Sequence, residues 1–205
     1  PYAAHILGTM GAMTKEQWDK VDYAQQYEGG PKYYMDAQVG QSGFESAFES
    51  YLHGEDGMRI DNVDKTGAII SQEYRKGDEP RAGNNVETTI DINLQIVAED
   101  ALADQIAYLQ DPTRNTSGDG NDVEGAAVVV MKVKTGEILA CASYPTYNPA
   151  TFNQDWDQLR VDPMKPTKNR ALQEIYPPGS TYKVAMSIAA LESGAIGRYT
   201  EIRDD

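Results

Sequence analysis

Two nearly continuous apolar runs, Ala-Ala-Val-Val-Val-Met-Lys-Val at 126–133 and Glu-Ile-Leu-Ala-Cys-Ala-Ser at 137–143, flank the tight turn Lys134-Thr135-Gly136. A strand with one face in water alternates apolar and polar residues, whereas strands without that alternation need cover on both faces. The runs therefore predict a β-hairpin in the middle of a sheet covered on both sides. A helix to cover it stands just upstream. Asp91 is a good N-cap, and Leu94, Val97, Ala98, Ala101, Leu102, Ile106 and Leu109 then recur at helical spacing. A layered α plus β core follows. At 205 residues, 40% apolar and 24% charged, the chain can bury such a core in one large or two small domains.

The first 83 residues read differently, as short helical patches separated by turns and rich in Tyr, Gly and acidic side chains. The clearest patch begins at Ser42, which with Glu45 three residues on predicts a capping box; Phe44, Phe48, Tyr51 and Leu52 then share one helical face, and Gly54 and Gly57 end it. A strand is expected from Gly67 to about Lys76, and the turn-rich stretch 76–85 reads as a linker, placing a domain boundary near Gly83. The polar loop 111–125 starts like a calcium loop at Asp119 and Asn121 but lacks the required glycine and distal glutamate.

Composition narrows the function classes. Lys plus Arg number 18 against 32 Asp plus Glu, a net charge of −14, which argues against a nucleic-acid surface or an anionic membrane as the main partner. The single cysteine, Cys141, rules out an internal disulfide framework and sits in an apolar run, as a buried inert thiol would. His5 and His53 have no partner at metal-ligand spacing, so no metal or cofactor is expected, and both read as packing or surface histidines. Tyrosine pairs such as Tyr33-Tyr34 suit either a contact surface or core packing. No stretch approaches the roughly 18 to 20 apolar residues that span a bilayer. The chain opens at Pro1 without a methionine or charged leader, as a piece of something longer would.

Between Tyr144 and Pro178 lie six prolines, the mark of a surface excursion with short helical pieces. After Gly179 the pattern turns helical again: Val184, Ile188 and Leu191 repeat on one face until Ser193-Gly194. Pro177 and Pro178 cannot continue a preceding helix and Gly179 permits a sharp turn, so the helix is expected to begin at Ser180. In an α-helix Lys183 lies about 60° around and about 4.5 Å along from Ser180, so both side chains can meet on one face. A serine needs a base within hydrogen-bond reach to act as a nucleophile, and a lysine serves when burial or nearby charge keeps it neutral. On those four letters alone, a Ser N-cap followed by an exposed Lys is the favoured reading.

Several segments in order carry more information. Ala3–Gly11, Val39–Gly57, Thr88–Gln95, Gly125–Pro149, Asn169–Ala171 and Tyr176–Lys183 together make the chain similar to class B penicillin-binding proteins, the peptidoglycan D,D-transpeptidases. Ser-x-x-Lys is a signature of penicillin-binding proteins and class A β-lactamases. The resemblance implies an α+β fold: the end of a non-catalytic pedestal or dimerisation-type segment at 1–83, then at 84–205 the N-terminal part of a serine β-lactamase-like transpeptidase domain, with helices on an antiparallel sheet. It makes Ser180 the acylated nucleophile, Lys183 its activating partner and the Ser180 backbone N–H half of an oxyanion hole. It also implies partners: the peptidoglycan stem peptide ending in D-Ala-D-Ala, β-lactam antibiotics, and cell-wall synthesis proteins including a glycosyltransferase. The location implied is the extracytoplasmic face of a bacterial membrane, through an anchor outside this chain.

The family also uses Ser-x-Asn and Lys-[Ser/Thr]-Gly beyond the nucleophile. Lys-Thr-Gly occurs at 65–67 and 134–136, both before Ser180, where a turn between strands is the structural reading. The chain thus resembles an internal fragment, and by itself is expected to be catalytically incomplete. A β-lactamase or carboxypeptidase could share Ser-x-x-Lys without such a pedestal. An interaction module that holds a catalytic domain and contacts morphogenesis partners is the alternative of another class, and a non-catalytic binding domain with an accidental Ser-x-x-Lys is the third reading.

Overall fold

A computed structural model describes residues 1–21, 33–74 and 79–201. The chain divides into two units, Pro1–Gln173 and Glu174–Asp205. In chain order the first holds α1 (Ala4–Leu7), β1 (Met10–Ala12), α2 (Lys15–Trp18), β2 (Gln38–Gly40), α3 (Gly43–Ala47), α4 (Glu49–Leu52), β3 (Arg59–Val63), β4 (Ile69–Tyr74), α5 (Ile92–Gln110), β5 (Ala126–Met131), β6 (Ile138–Tyr144), α6 (Phe152–Leu159) and α7 (Arg170–Gln173). The second holds a 3₁₀ turn, Gly179–Tyr182, running into α8 (Lys183–Glu192). Among the described residues the strands form antiparallel two-stranded pairs, β1–β2, β3–β4 and β5–β6.

The expected hairpin is present, with Val128 opposite Ala142 and Val129 opposite Cys141. Its cover is uneven. Ala98 and Leu102 of α5 pack on Ala140 and Ala142, while Ala3 and Ile6 pack on the Cys141 side, so β6 is buried on both faces. On β5, Val129 and Met131 stay about half exposed, and Val133 falls in the turn, outside the strand. The hairpin is therefore no sheet centre among the described residues: helices reach both faces of β6 but leave part of β5 open.

The two long edges of the hairpin also differ. Along β6, the Asp91 N–H donates to the Leu139 carbonyl (2.9 Å), and the Gln95 side chain pairs with Cys141 as another strand would. Its Oε1 accepts from the Cys141 N–H (2.7 Å), and its Nε2 donates to the Cys141 carbonyl (3.1 Å). Nε2 also donates to Glu99 (2.7 Å), whose same oxygen accepts from the Ala3 N–H (2.7 Å). One buried amide thus ties α5, β6 and the entry to α1 together. No backbone group on the far edge of β5 bonds to another segment among the described residues.

Asp91 caps α5 as expected, accepting from the N–H groups of Asn93 and Leu94. The buried stripe is Gln95, Ala98, Leu102 and Ile106, whereas Val97 and Ala101 face out. Gln95 takes the place that an apolar reading gives to Val97, because the edge of β6 needs hydrogen-bond partners there.

The helix expected from Ser42 breaks at Phe48 into α3 and α4. Ser42 holds the N-cap position, but the capping box does not form. Its hydroxyl instead accepts from the Thr9 N–H (3.1 Å) and pairs with the Thr9 hydroxyl (3.1 Å), so a tertiary contact outcompetes the local one. Phe44, Phe48 and Leu52 are half-buried, and Tyr51 is exposed. β4 matches the expected strand from Ile69 to Tyr74; its anticipated end at 75–76 and the linker start at 76–78 lie outside the described residues. Its partner β3, Arg-Ile-Asp-Asn-Val, has no apolar alternation to announce it.

Both Lys-Thr-Gly runs are hairpin tips. Asp64 Oδ1 accepts from the Thr66 N–H, the Thr66 hydroxyl and the Ala68 N–H, bonds that hold its carboxyl below the usual range. Glu137 plays a similar part beside the second tip, accepting from Lys132 (2.9 Å) and Thr135 (2.8 Å). Gly67 and Gly136 adopt φ of 86° and 77°, the left-handed conformation such turns require.

His5 is buried and joins α1 to the proline-rich excursion. Its Nε2–H donates to the Pro166 carbonyl (2.7 Å), its ring meets Tyr147 edge-on at 5.3 Å, and its own carbonyl accepts from Asn169 Nδ2 (3.4 Å). Burial lowers its pKa from 6.5. The folded state then disfavours His5⁺, so the unfolded chain binds more protons once pH falls below about 6.5, and His5 costs stability there at up to about 1.4 kcal/mol per pH unit. Urea unfolding between pH 7 and 5 should fall more steeply for wild type than for His5→Gln. Parallel profiles would show that His5 is not a buried neutral group.

Candidate active site

Ser180 and Lys183 both lie in the second unit. Pro178 sits at the N-cap (φ −71°, ψ −17°), and Gly179 takes φ 54° with open space where a side chain would stand. That positive φ is what the sequence reading asked of Gly179, and it turns the chain into the helix at the serine.

The first turn departs from the expected α-helix. Gly179–Tyr182 is 3₁₀, with the Lys183 N–H donating to the Ser180 carbonyl, and the α-helix starts at Lys183 itself. A 3₁₀ turn has three residues per turn and about 2.0 Å rise, so residues three apart eclipse each other. Ser180 and Lys183 therefore lie one above the other, about 6 Å apart along the axis, rather than about 60° apart as in an α-turn. The Thr181 hydroxyl donates to the Pro178 carbonyl and closes the turn. The Ser180 N–H belongs to the opening of the helix, where N–H groups have no helical acceptor and the dipole favours negative charge.

Both side chains are exposed, and neither makes a hydrogen bond among the described residues. The rest of α8 is exposed too: Val184, Met186, Ile188 and Leu191 are each about half to two-thirds accessible. The two residues sit one 3₁₀ turn apart, and both are exposed.

Cys141 is buried, and burial raises its thiol pKa, which suits an inert core residue. His53 pairs with Glu49 at 2.8 Å and stacks on Tyr33 at 4.5 Å, while burial pushes the Tyr33 hydroxyl up to about 12. Tyr34 is exposed. No cluster of three or more metal-ligating side chains occurs among the described residues. The sequence reading singled out neither Gln95 nor the buried Arg170. Arg170 donates to the carbonyls of Lys165 (3.3 Å) and Met164 (2.5 Å) and so holds the turn that leads into α7.

Comparison with known proteins gives this arrangement a context. Residues 126–205 match the Penicillin binding protein transpeptidase domain, and residues 1–88 match the Penicillin-binding Protein dimerisation domain. The two matches place a dimerisation domain ahead of the start of a transpeptidase domain. The chain is 31% identical to the peptidoglycan D,D-transpeptidase MrdA of Escherichia coli K12 over 209 residues, covering 100% of this chain and 30% of that protein. It is 35% identical to the peptidoglycan D,D-transpeptidase PbpA of Mycolicibacterium smegmatis over 166 residues, covering 75% of this chain and 28% of that one. A solved structure described as structural coordination of polymerization and crosslinking by a peptidoglycan synthase complex aligns with a TM-score of 0.74 at 32% identity, covering 98% of this chain and 33% of that one. The chain belongs to the class B penicillin-binding proteins, carrying part of the dimerisation domain and the start of the transpeptidase domain. It spans less than a third of the length of these two curated relatives.

Proposed function

We propose that the whole protein cross-links peptidoglycan by serine acyl transfer, with Ser180 as nucleophile and Lys183 as the group that takes its proton. The observation that carries this reading is the turn set by Pro177-Pro178-Gly179, which stacks Lys183 over Ser180 at the opening of a helix. Ser180 Oγ attacks the carbonyl between the two D-Ala residues of a stem peptide as its proton passes to Lys183. The oxyanion forms beside the Ser180 N–H, and the intermediate collapses with release of D-Ala, whose amine takes the proton. An amine of a neighbouring strand then attacks the acyl-serine ester, gives up a proton and restores the hydroxyl. A β-lactam follows the first half: its ring amide opens onto Ser180, and no leaving group departs.

A lysine works as base when burial or neighbouring charge keeps it neutral, and an exposed apolar helix needs cover. We assign both requirements to further polypeptide, in keeping with relatives about three times as long. We place the functional boundary near residue 83, with 1–83 as pedestal and 84–205 as the first part of the transpeptidase domain. The protein's partners on this reading are cell-wall synthesis proteins, a glycan-polymerising enzyme among them, at the outer face of a bacterial membrane.

The test is peptide mapping. Full-length protein labelled with a fluorescent penicillin should carry the adduct on the peptide containing Ser180, and the isolated 205-residue chain should form no stable adduct. An adduct at another serine would overturn the assignment of Ser180, and stable labelling of the isolated chain would overturn the need for further polypeptide.

A further inference from the structure

A cavity of about 540 Å³ opens within the first unit where α1, α3, the segment 88–90, β6 and α7 meet. Ile6, Phe44, Ile90 and Ile138 are among its apolar wall residues; hydroxyl and amide side chains also line it, with His5 and Asn169 the two used below, and no Asp, Glu, Lys or Arg lines it among the described residues. Its size and mixture of apolar wall with a few polar groups are those of small-molecule sites.

The polar members have spare accepting capacity. His5 already donates through Nε2–H to Pro166, so its neutral ring keeps Nδ1 as an acceptor. Asn169 is 9% exposed, and its Nδ2 is engaged with the His5 carbonyl. Its Oδ1 is sealed from water and has no donor among the described residues. A buried acceptor left in that state costs free energy until a donor reaches it. The terminal torsion of an asparagine is broad, so a small turn of the amide presents that oxygen to the cavity.

The geometry points to a binding site for an uncharged, largely apolar small molecule: an aromatic ring system bearing one hydroxyl or amide N–H that donates to Asn169 Oδ1. A charged ligand would be desolvated without a counter-charge in the wall. All its lining residues belong to the first unit and Ser180 to the second, and the proposal does not depend on the role proposed for Ser180.

Isothermal titration of full-length protein with 4-phenylphenol and with 4-methoxybiphenyl, which has no donor, tests the proposal. The phenol should bind saturably at one site and about 2- to 12-fold tighter than the ether, the net worth of one neutral hydrogen bond. Asn169→Leu should abolish that preference. Ala47→Trp, at the exposed rim of the cavity, should abolish binding of both, and Ser180→Ala should change neither. The proposal fails if full-length protein shows no saturable binding, if both probes bind equally, or if binding survives Ala47→Trp. It fails equally if only the isolated 205-residue chain binds, because the cavity is then filled by the protein's own remaining polypeptide.

Discussion

Full-length protein carrying Ser180→Ala is expected to take up no covalent penicillin, and Lys183→Met to take it up about 10²- to 10⁴-fold more slowly, the usual contribution of a positioned proton acceptor. The eclipsed placement of the two side chains makes the effect specific, because Lys183 is one 3₁₀ turn from the serine, while Thr181 and Tyr182 point elsewhere. Lys183→Arg separates two roles. A guanidinium keeps the positive charge but cannot give up its proton in a protein. If Lys183 accepts the serine proton, the arginine variant should be as slow as the methionine variant; if it supplies only charge, much of the rate should survive. Acylation rates with a chromogenic β-lactam decide between them, and a wild-type rate in Lys183→Met would end the assignment.

Gln95→Leu is expected to cost about 2 to 5 kcal/mol of stability. The leucine fills a similar volume but leaves the N–H and carbonyl of Cys141 unpaired in the interior, each at about 1 to 3 kcal/mol, and removes one of the donors to Glu99. Gln95→Glu should be at least as harmful. Its carboxylate can still accept from the Cys141 N–H, but it turns acceptors toward the Cys141 carbonyl and toward Glu99. Urea denaturation measures both variants; a loss below about 1 kcal/mol in Gln95→Leu would mean that β6 does not depend on this amide.

The elements legible in the sequence were those whose signals are local. Asp91 followed by an apolar period gave α5, and two apolar runs around Lys-Thr-Gly gave β5 and β6. Pro-Pro-Gly placed the opening of the helix at Ser180, though not the 3₁₀ geometry of its first turn, which depends on backbone angles that several sequences share. What escaped were side chains committed across long sequence distances. Ser42 looked like half of a capping box but serves Thr9, 33 residues away. Gln95, absent from the apolar stripe read along α5, closes the edge of a strand 46 residues on. Nothing in β3 marks it as a strand until β4 pairs with it.

The finished edge of β6 gives the hairpin a direction. Asp91 and Gln95 occupy that side, so a third strand, whatever its source, can pair only along β5. Among the described residues, β5 presents an unpaired row of N–H and carbonyl groups with Val129 and Met131 half exposed, a surface on which a second copy of the same strand can seat itself. The amide that fixes the order of the sheet also fixes where premature self-association would start.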